Sequence, residues 1–150
     1  MKTSELHALM MQLVPELKHC KLLGMGVLEV GVGKLKLSLP YSDSIIGNPE
    51  TGVIHGGALT TLMDTACGFA AICAIDELSI CPTLDLRIDY MKPATPGRDV
   101  IGAAEAYRVG KNVVFARGIA YHEGEMESPI AHCTASFMRL DPKHGEGEST

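Results

Sequence analysis

Residues 56–75 form a continuous run of small and apolar side chains in which Asp64 is the only charged residue. The run is too long for a strand, and its apolar residues cover nearly the whole circumference of a helix instead of one stripe. Such a helix is buried on most sides, so the rest of the chain has to wrap around it. A membrane span is a poor interpretation, because Asp64, two early glycines and three threonines interrupt the run.

Two strand-like segments precede the run. Residues 22–30 and 34–39 flank Gly31-Val32-Gly33. The second segment alternates strictly between polar and apolar residues, which predicts a hairpin whose second strand has one solvated face. Residues 40–54 are rich in turn-forming proline, glycine and asparagine, and they predict a loop that leads into the apolar run.

An amphipathic helix is predicted at the N-terminus, and strands dominate the C-terminal half. Apolar residues recur along residues 6–17 at the spacing of one helical stripe, and Pro15 is expected to bend or end this helix. Strands and helices are grouped instead of alternating, so the predicted fold class is α+β, with an antiparallel sheet that curls around the central helix. The C-terminal strands are predicted at residues 80–91, 98–109, 112–122 and 129–139.

Length and charge limit the organisation of the chain and its partners. We expect residues 1–140 of the 150 to form a single domain, and residues 141–150, which are polar and charged, to be a disordered tail. The net charge of −5 argues against a nucleic-acid partner. The five cysteines are irregularly spaced and form no Cys-x-x-Cys pair, which predicts reduced thiols in a cytoplasmic protein and no metal site. The polar N-terminus shows no secretory signal.

The start of the apolar run carries the first chemical signal. His55-Gly56-Gly57 opens the predicted helix, where the first N–H groups lack intrahelical partners and lie at the positive end of the helix dipole. Two glycines allow a ligand to approach the backbone, so this helix start suits an oxyanion. Two structural interpretations stay open: His55 simply caps the helix, and the glycines serve only helix packing.

Asp64 is the second chemical signal. A carboxylate inside an apolar helix is costly unless it is paired, and such residues cluster at functional sites. A buried structural carboxylate, paired with an arginine or a helix cap, is the alternative. Asp64 follows Gly56 by eight residues, so the two backbones lie about 12 Å apart along the helix axis. An Asp side chain cannot span that gap. If both groups act on one bond, they come from different copies of the chain, which requires at least a dimer.

Two motifs in this order resemble one protein family. Residues 52–64, Gly-Val-Ile-His-Gly-Gly-Ala-Leu-Thr-Thr-Leu-Met-Asp, resemble the His-Gly-Gly motif of the hotdog-fold acyl-CoA thioesterases. Residues 83–94, Thr-Leu-Asp-Leu-Arg-Ile-Asp-Tyr-Met-Lys-Pro-Ala, resemble the strand and Tyr-Met-x-Pro-Ala turn of their PaaI-like subgroup, which is named for phenylacetate degradation. The resemblance covers roughly residues 20–140. It implies a long helix wrapped by an antiparallel sheet, and homodimers that pair into homotetramers.

The resemblance also implies roles for individual residues. Asp64 would be the nucleophile or the general base that activates water, and the Gly56 N–H would polarise the thioester carbonyl. His55 would help to place the thioester. Asn48 would orient water or substrate, although Asn48 followed by Pro49 is equally typical of a turn. No cofactor is implied.

A second group of residues falls where the family holds the substrate. Thr83 lies where family members carry a hydroxyl near the site, and Lys92, Arg108 and Lys111 would supply positive charge for the CoA phosphates. Basic side chains are also common in turns for solubility alone. The implied substrate-binding residues are Gly57, Thr83, Tyr90, Met91, Lys92, Pro93, Arg108, Val109, Gly110, Lys111 and Asn112.

The sequence therefore predicts hydrolysis of an aryl- or medium-chain acyl-CoA. Two other functions stay open at this point. One is a hotdog enoyl-CoA hydratase or dehydratase, which would use a His–carboxylate pair. The other is an acyl-CoA-binding module without catalysis, which Asp64 disfavours because a binder gains nothing from a buried acid.

Overall fold

One long helix lies across a curved antiparallel sheet in the computed structural model, which describes residues 2–75 and 78–140. The helices are α1 (Thr3–Glu16), α2 (Lys18–Leu22) and α3 (Gly56–Ala74), with a short 3₁₀ turn at Asp43–Ile45. The strands are β1 (Gly26–Gly31), β2 (Lys34–Leu39), β3 (Ile46–Asn48), β4 (Val53–Ile54), β5 (Thr83–Tyr90), β6 (Val100–Val109), β7 (Val113–Tyr121) and β8 (Ala131–Met138).

The main sheet has six strands in the order β1-β2-β6-β7-β8-β5, and every neighbouring pair is antiparallel. Helix α3 packs mainly on β2, β6 and β7 in the middle of this sheet. The α+β class and the wrapped central helix of the hotdog fold are therefore confirmed. Strands β3 and β4 form a separate small hairpin directly before α3.

Helix α3 forms the centre of the hydrophobic core. Leu62, Met63, Ala66, Ala70 and Ala71 are fully buried on its sheet-facing side. The small alanines let the helix approach the sheet closely, which favours dispersion contacts. By length and composition α3 could cross a membrane, but about half of it is buried against the sheet, as in the core helix of a globular domain.

The N-terminal region differs from the sequence prediction in two respects. Residues 22–25 are not part of a strand: helix α2 extends to Leu22, and Gly24 follows it with φ +67°, a left-handed conformation that ends the helix. Strand β1 begins only at Gly26. In α1, Leu13 and Leu17 are exposed, so the buried stripe is narrower than predicted and Leu17 lies beyond the helix end.

Residues 40–54 also differ from the expected loop, because they contain the 3₁₀ turn and the β3–β4 hairpin. The hairpin is short, and its two-residue strand β4 gave no periodic signal. The four C-terminal strands and the β1–β2 hairpin agree with the prediction within a few residues. The prediction for residues 141–150 lies outside the described residues.

Candidate active site

The first turn of α3 leaves one backbone donor free. His55 caps the helix: its Nδ1 accepts a 2.8 Å hydrogen bond from the Gly57 N–H, and its carbonyl accepts one of 3.0 Å from the Ala58 N–H. Across residues 2–75 and 78–140, no group accepts a hydrogen bond from the Gly56 N–H. The positive end of the helix dipole is therefore presented through a single donor, that of Gly56.

The capping interaction determines which ring nitrogen of His55 carries the proton. Because Nδ1 accepts a hydrogen bond, the neutral ring carries its proton on Nε2. His55 is exposed, so this Nε2–H can reach a bound molecule. The cap does not exclude a role in placing a substrate, since the two ring nitrogens serve different partners.

Two glycines make this cap geometry possible. A Cβ on Gly57 would lie 2.8 Å from His55 Nδ1, so any side chain there would push the imidazole out of its cap. A Cβ on Gly47 would lie 2.8 Å from the Cα of His55, and the His55 N–H donates to the Ile45 carbonyl at 2.7 Å. The β3–β4 hairpin thus packs against the backbone of His55 and fixes the position of the helix start. This role of Gly47 was not predicted, because in the sequence it looks like any turn glycine.

Tyr90 lies against the same helix start. Its hydroxyl donates to the Gly56 carbonyl at 2.9 Å and is 2.6 Å from the Thr60 hydroxyl. Beside it is a pocket of about 290 Å³, and Lys92, which borders this pocket, donates from Nζ to the Ser128 hydroxyl at 2.7 Å. Thr60 and Ser128 were not predicted. The structure brings Gly56, Tyr90, Met91, Lys92 and Pro93 together around this pocket.

Asp64 lies two turns further along α3 and has a partner. The Thr83 hydroxyl donates to Asp64 Oδ1 at 2.8 Å. Asp64 is half-buried, and this hydrogen bond gives its carboxylate a partner. No arginine forms an ion pair with Asp64 within the described part of the chain, which leaves the structural alternative without its expected partner.

A β-bulge directs Thr83 toward the helix. Leu86, Ile88 and Tyr90 lie on the helix side of β5, and strict alternation would put Thr83 on the opposite face. The register of β5 against β8 shifts between Thr83 and Asp85, which returns the Thr83 side chain to the helix side. A period-two pattern in the sequence cannot reveal this shift.

The predicted site residues divide into two groups at opposite ends of the sheet. Thr83 pairs with Phe137, Phe137 with Val114 and Val114 with Val109, so the turn at residues 108–112 lies at the Asp64 end. Tyr90 and Lys92 lie at the Gly56 end, about 23 Å away along β5. One chain therefore does not bring Lys92 together with Arg108 and Lys111, although all three were predicted to hold a single ligand.

Asn48 lies in an exposed turn. Its Oδ1 accepts a 3.0 Å hydrogen bond from the Glu50 N–H, which is an Asx turn. Its Nδ2 donors and the second lone pair of Oδ1 remain available to a ligand. At the other end of the sheet, Arg139 stabilises the turn at residues 108–112, because its side chain donates to the Gly110 carbonyl and its backbone N–H to the Asn112 carbonyl.

The cysteines near the site are core thiols. Cys67 Sγ lies 3.4 Å from Cys133 Sγ, and this hydrogen bond, burial and the nearby Asp64 carboxylate raise the pKa of Cys67. Burial raises the pKa of Cys73 to about 11. Neither thiol is a ready nucleophile, since the thiolate is the reactive form. In residues 2–75 and 78–140, no three His, Cys, Asp or Glu side chains form a metal-binding cluster.

Comparisons with known proteins match this chain to a family model and to solved structures. The family model described as the thioesterase superfamily matches residues 51–129. A crystal structure of a Pseudomonas aeruginosa protein is 52% identical, covers 90% of this chain and 99% of that one, and has a TM-score of 0.80. The structure of Escherichia coli PaaI, a protein of the phenylacetic acid degradation operon, has a TM-score of 0.79 at 18% identity over 93% of this chain and 97% of that one, which shows a shared fold.

Two relatives carry functional names. A putative esterase of Halobacterium salinarum is 35% identical over 94 residues, and the match spans 61% of each chain. The medium/long-chain acyl-CoA thioesterase YigI of Escherichia coli is 28% identical over 116 residues, which are 69% of this chain and 73% of that one. The family model at residues 51–129 covers both motifs, at residues 52–64 and 83–94.

Proposed function

Because this chain belongs to the thioesterase superfamily, we propose that it hydrolyses acyl-CoA thioesters to a free acid and CoA. The observation that carries the proposal is the free N–H of Gly56 at the start of an apolar helix whose next two N–H groups are already bonded. Such a donor stabilises the negative charge that develops on a thioester carbonyl oxygen under attack. The acyl-CoA thioesterase name of YigI supports the substrate class.

The reaction needs a base or a nucleophile on the opposite side of the carbonyl, and we assign this to Asp64. As a base, the carboxylate takes a proton from water while the water oxygen bonds to the carbonyl carbon. The C–S bond then breaks, and the CoA thiolate leaves and is protonated. As a nucleophile, Asp64 would itself bond to the carbon and be released by water. In both cases the Thr83 hydroxyl donates to Oδ1, and Oδ2 is the oxygen that takes the proton or attacks the carbonyl carbon.

The site we propose is shared by two chains. Gly56 and Asp64 lie on one helix about 12 Å apart, so a second copy has to supply one of them to a given thioester. Strand β5 supports this arrangement, because no other strand of the described residues pairs with its outer edge, and Leu84 and Tyr90 on it are more than half exposed. A two-fold axis beside β5 would bring the Gly56 end of one chain to the Asp64 end of the other.

The same axis would gather the predicted CoA-binding residues. Lys92 lies at the Gly56 end, whereas Arg108 and Lys111 lie at the Asp64 end. In such a dimer, Lys92 of one chain would therefore lie at the same end as Arg108 and Lys111 of the other. We extend the proposal to a homodimer that pairs into a homotetramer, to a cytoplasmic location and to aryl- or medium-chain acyl groups. The five free cysteines agree with a reducing compartment.

A thiol-release assay tests the activity. The purified protein is offered aryl-, medium- and long-chain acyl-CoAs, and free CoA is measured with a thiol reagent. We expect turnover with at least one of the first two classes. Binding of acyl-CoA without release of CoA would identify a binding module, and hydration of an enoyl-CoA without hydrolysis would identify a hydratase.

A mixed-dimer experiment tests the shared site. A chain with Asp64→Asn and a differently tagged chain with Gly56→Pro, each expected to lose most of its activity, are combined and purified as a heterodimer. If the site is shared, one of the two sites in the heterodimer keeps both native groups, and half of the wild-type activity returns. An inactive heterodimer would show that Gly56 and Asp64 act within one chain.

A further inference from the structure

The hydroxyl of Tyr90 is used inside the chain, although the resemblance placed this residue among those that bind CoA. The hydroxyl donates to the Gly56 carbonyl at 2.9 Å and lies 2.6 Å from the Thr60 hydroxyl, which is 3.2 Å from the same carbonyl. Each hydroxyl has one proton, so Thr60 donates either to the Tyr90 oxygen or to the Gly56 carbonyl. Tyr90 is separated from Gly56 by 34 residues, so only the fold joins them. Three contacts connect the two hydroxyls and one carbonyl oxygen.

The carbonyl that Tyr90 holds belongs to the residue whose N–H is free. The Gly56 N–H lies in the peptide plane of the His55 carbonyl, which accepts from the Ala58 N–H, but the N–H itself has no partner among the described residues. Glycine also lacks a Cβ that would restrict its φ and ψ angles. A second anchor on the carbonyl side therefore limits how far the Gly56 N–H can swing.

Tyr90 limits this motion by packing as well. A Cβ built on Gly56 would lie 3.4 Å from Cε1 of the Tyr90 ring, so the ring covers the open side of the glycine. The hydroxyl and the ring of Tyr90, on β5, therefore both contact Gly56, while His55 Nδ1 accepts from the next N–H group, that of Gly57. No other side-chain hydroxyl in the described residues, apart from that of Thr60, bonds to the Gly56 backbone.

We propose that Tyr90 is a positioning residue, whose hydroxyl, together with that of Thr60, aligns the Gly56 N–H for the thioester oxygen. The proposal rests on the thioesterase function proposed above. It also connects the turn at residues 91–94, which borders the same pocket, to the oxyanion donor, because Tyr90 is the last residue of β5 before that turn.

Tyr90→Phe tests the proposal, since it removes the hydroxyl and keeps the ring. We expect kcat to fall by about tenfold, the value of one neutral hydrogen bond, with KM unchanged. Thr60→Val should give a smaller fall, because the direct bond from Tyr90 to Gly56 remains. The matched control is Tyr107→Phe on β6, an exposed tyrosine outside the site, which should keep the wild-type kcat.

A second measurement does not depend on activity. In protein labelled with ¹⁵N-glycine, the Gly56 amide signal, assigned by its loss in Gly56→Ala, should shift in Tyr90→Phe, while the signals of β1 and β6 glycines stay in place. An unmoved Gly56 signal would overturn the proposal, as would a Tyr90→Phe enzyme that raises KM at constant kcat. If the wild type releases no CoA, the thioesterase function fails, and the amide signal still decides whether Tyr90 positions Gly56.

Discussion

The Thr83 hydroxyl, at the start of β5, donates a 2.8 Å hydrogen bond to Oδ1 of Asp64 in the middle of α3. This bond fixes the orientation of the Asp64 carboxylate, and it therefore also fixes the position of the second oxygen, Oδ2. The pair therefore connects the chemistry proposed for Asp64 to the packing of an edge strand against the central helix. This contact and the free Gly56 N–H determine which substitutions should impair catalysis.

Asp64→Asn should lower kcat by about 10³, because the amide cannot accept a proton or attack a carbonyl, and general bases contribute on this scale. The amide oxygen can still accept from Thr83, so we expect the fold and the oligomer to persist. Thiol release measures the activity, and light scattering measures the oligomer. The control is Asp85→Asn, an exposed carboxylate on β5. A variant with near wild-type kcat on several acyl-CoAs would remove Asp64 from the mechanism.

Thr83→Val should lower kcat by about ten- to a hundredfold, the value of a hydrogen bond to a charged group. Valine keeps the branched shape that β5 accommodates, so the loss reports on the hydroxyl. Thr83→Ser restores a donor and should recover most of kcat. Equal rates for the valine and serine variants would show that Thr83 does not orient Asp64.

Gly56→Pro should lower kcat by about 10² to 10³, as for loss of one oxyanion donor. Proline is well tolerated at the first helical position, and His55 already has the extended conformation (φ −65°, ψ 134°) that precedes proline. The comparison variant is Gly56→Ala, which adds a Cβ but keeps the N–H. The two variants should differ by about the same factor of 10². Equal rates would mean that bulk, and not the donor, matters at this position.

His122→Ala should lower the free energy of unfolding by about 3 kcal/mol. The imidazole is buried; its Nε2 accepts from the Thr95 N–H and its Nδ1 meets the Asp99 carbonyl, both at 2.8 Å. Truncation would leave both backbone groups without partners next to a cavity. Urea unfolding measures the loss, and exposed His132→Ala is the control. A loss below about 1 kcal/mol would show that water replaces the ring.

Cys73 should make stability fall at alkaline pH. Burial raises the pKa of Cys73 to about 11, whereas an unfolded cysteine titrates near 8.5. Above pH 8.5 the unfolded chain loses this proton first, so the contribution of Cys73 to stability is complete below that pH and is lost as the pH rises to 11.

Cys73→Ala should therefore show a shallower decline of unfolding free energy between pH 8.5 and 11. The control is the neighbouring Ile72→Val, which should lower stability by the same amount at every pH. Parallel curves for Cys73→Ala and the wild type would contradict the assignment of this decline to Cys73.

The sequence alone determined the central helix, most of the sheet and the start of the candidate site. These depend on local properties: the period of apolar residues along residues 34–39, the all-round apolarity of residues 56–75, and the unpaired N–H groups at any helix start. The separation of Gly56 from Asp64 is equally local, because it follows from the rise of a helix. The prediction that a second chain completes the site therefore needed only the number of residues between them.

Only the tertiary structure decided which side chains serve these groups. Thr83 reaches Asp64 through a bulge, Tyr90 reaches Gly56 from 34 residues away, and Gly47 supports His55 through a hairpin too short to show a pattern. The separation of Lys92 from Arg108 depends on the register of four strands. Register and bulges are set by packing between distant segments, and a shift of one residue reverses every side chain, so no local pattern specifies them.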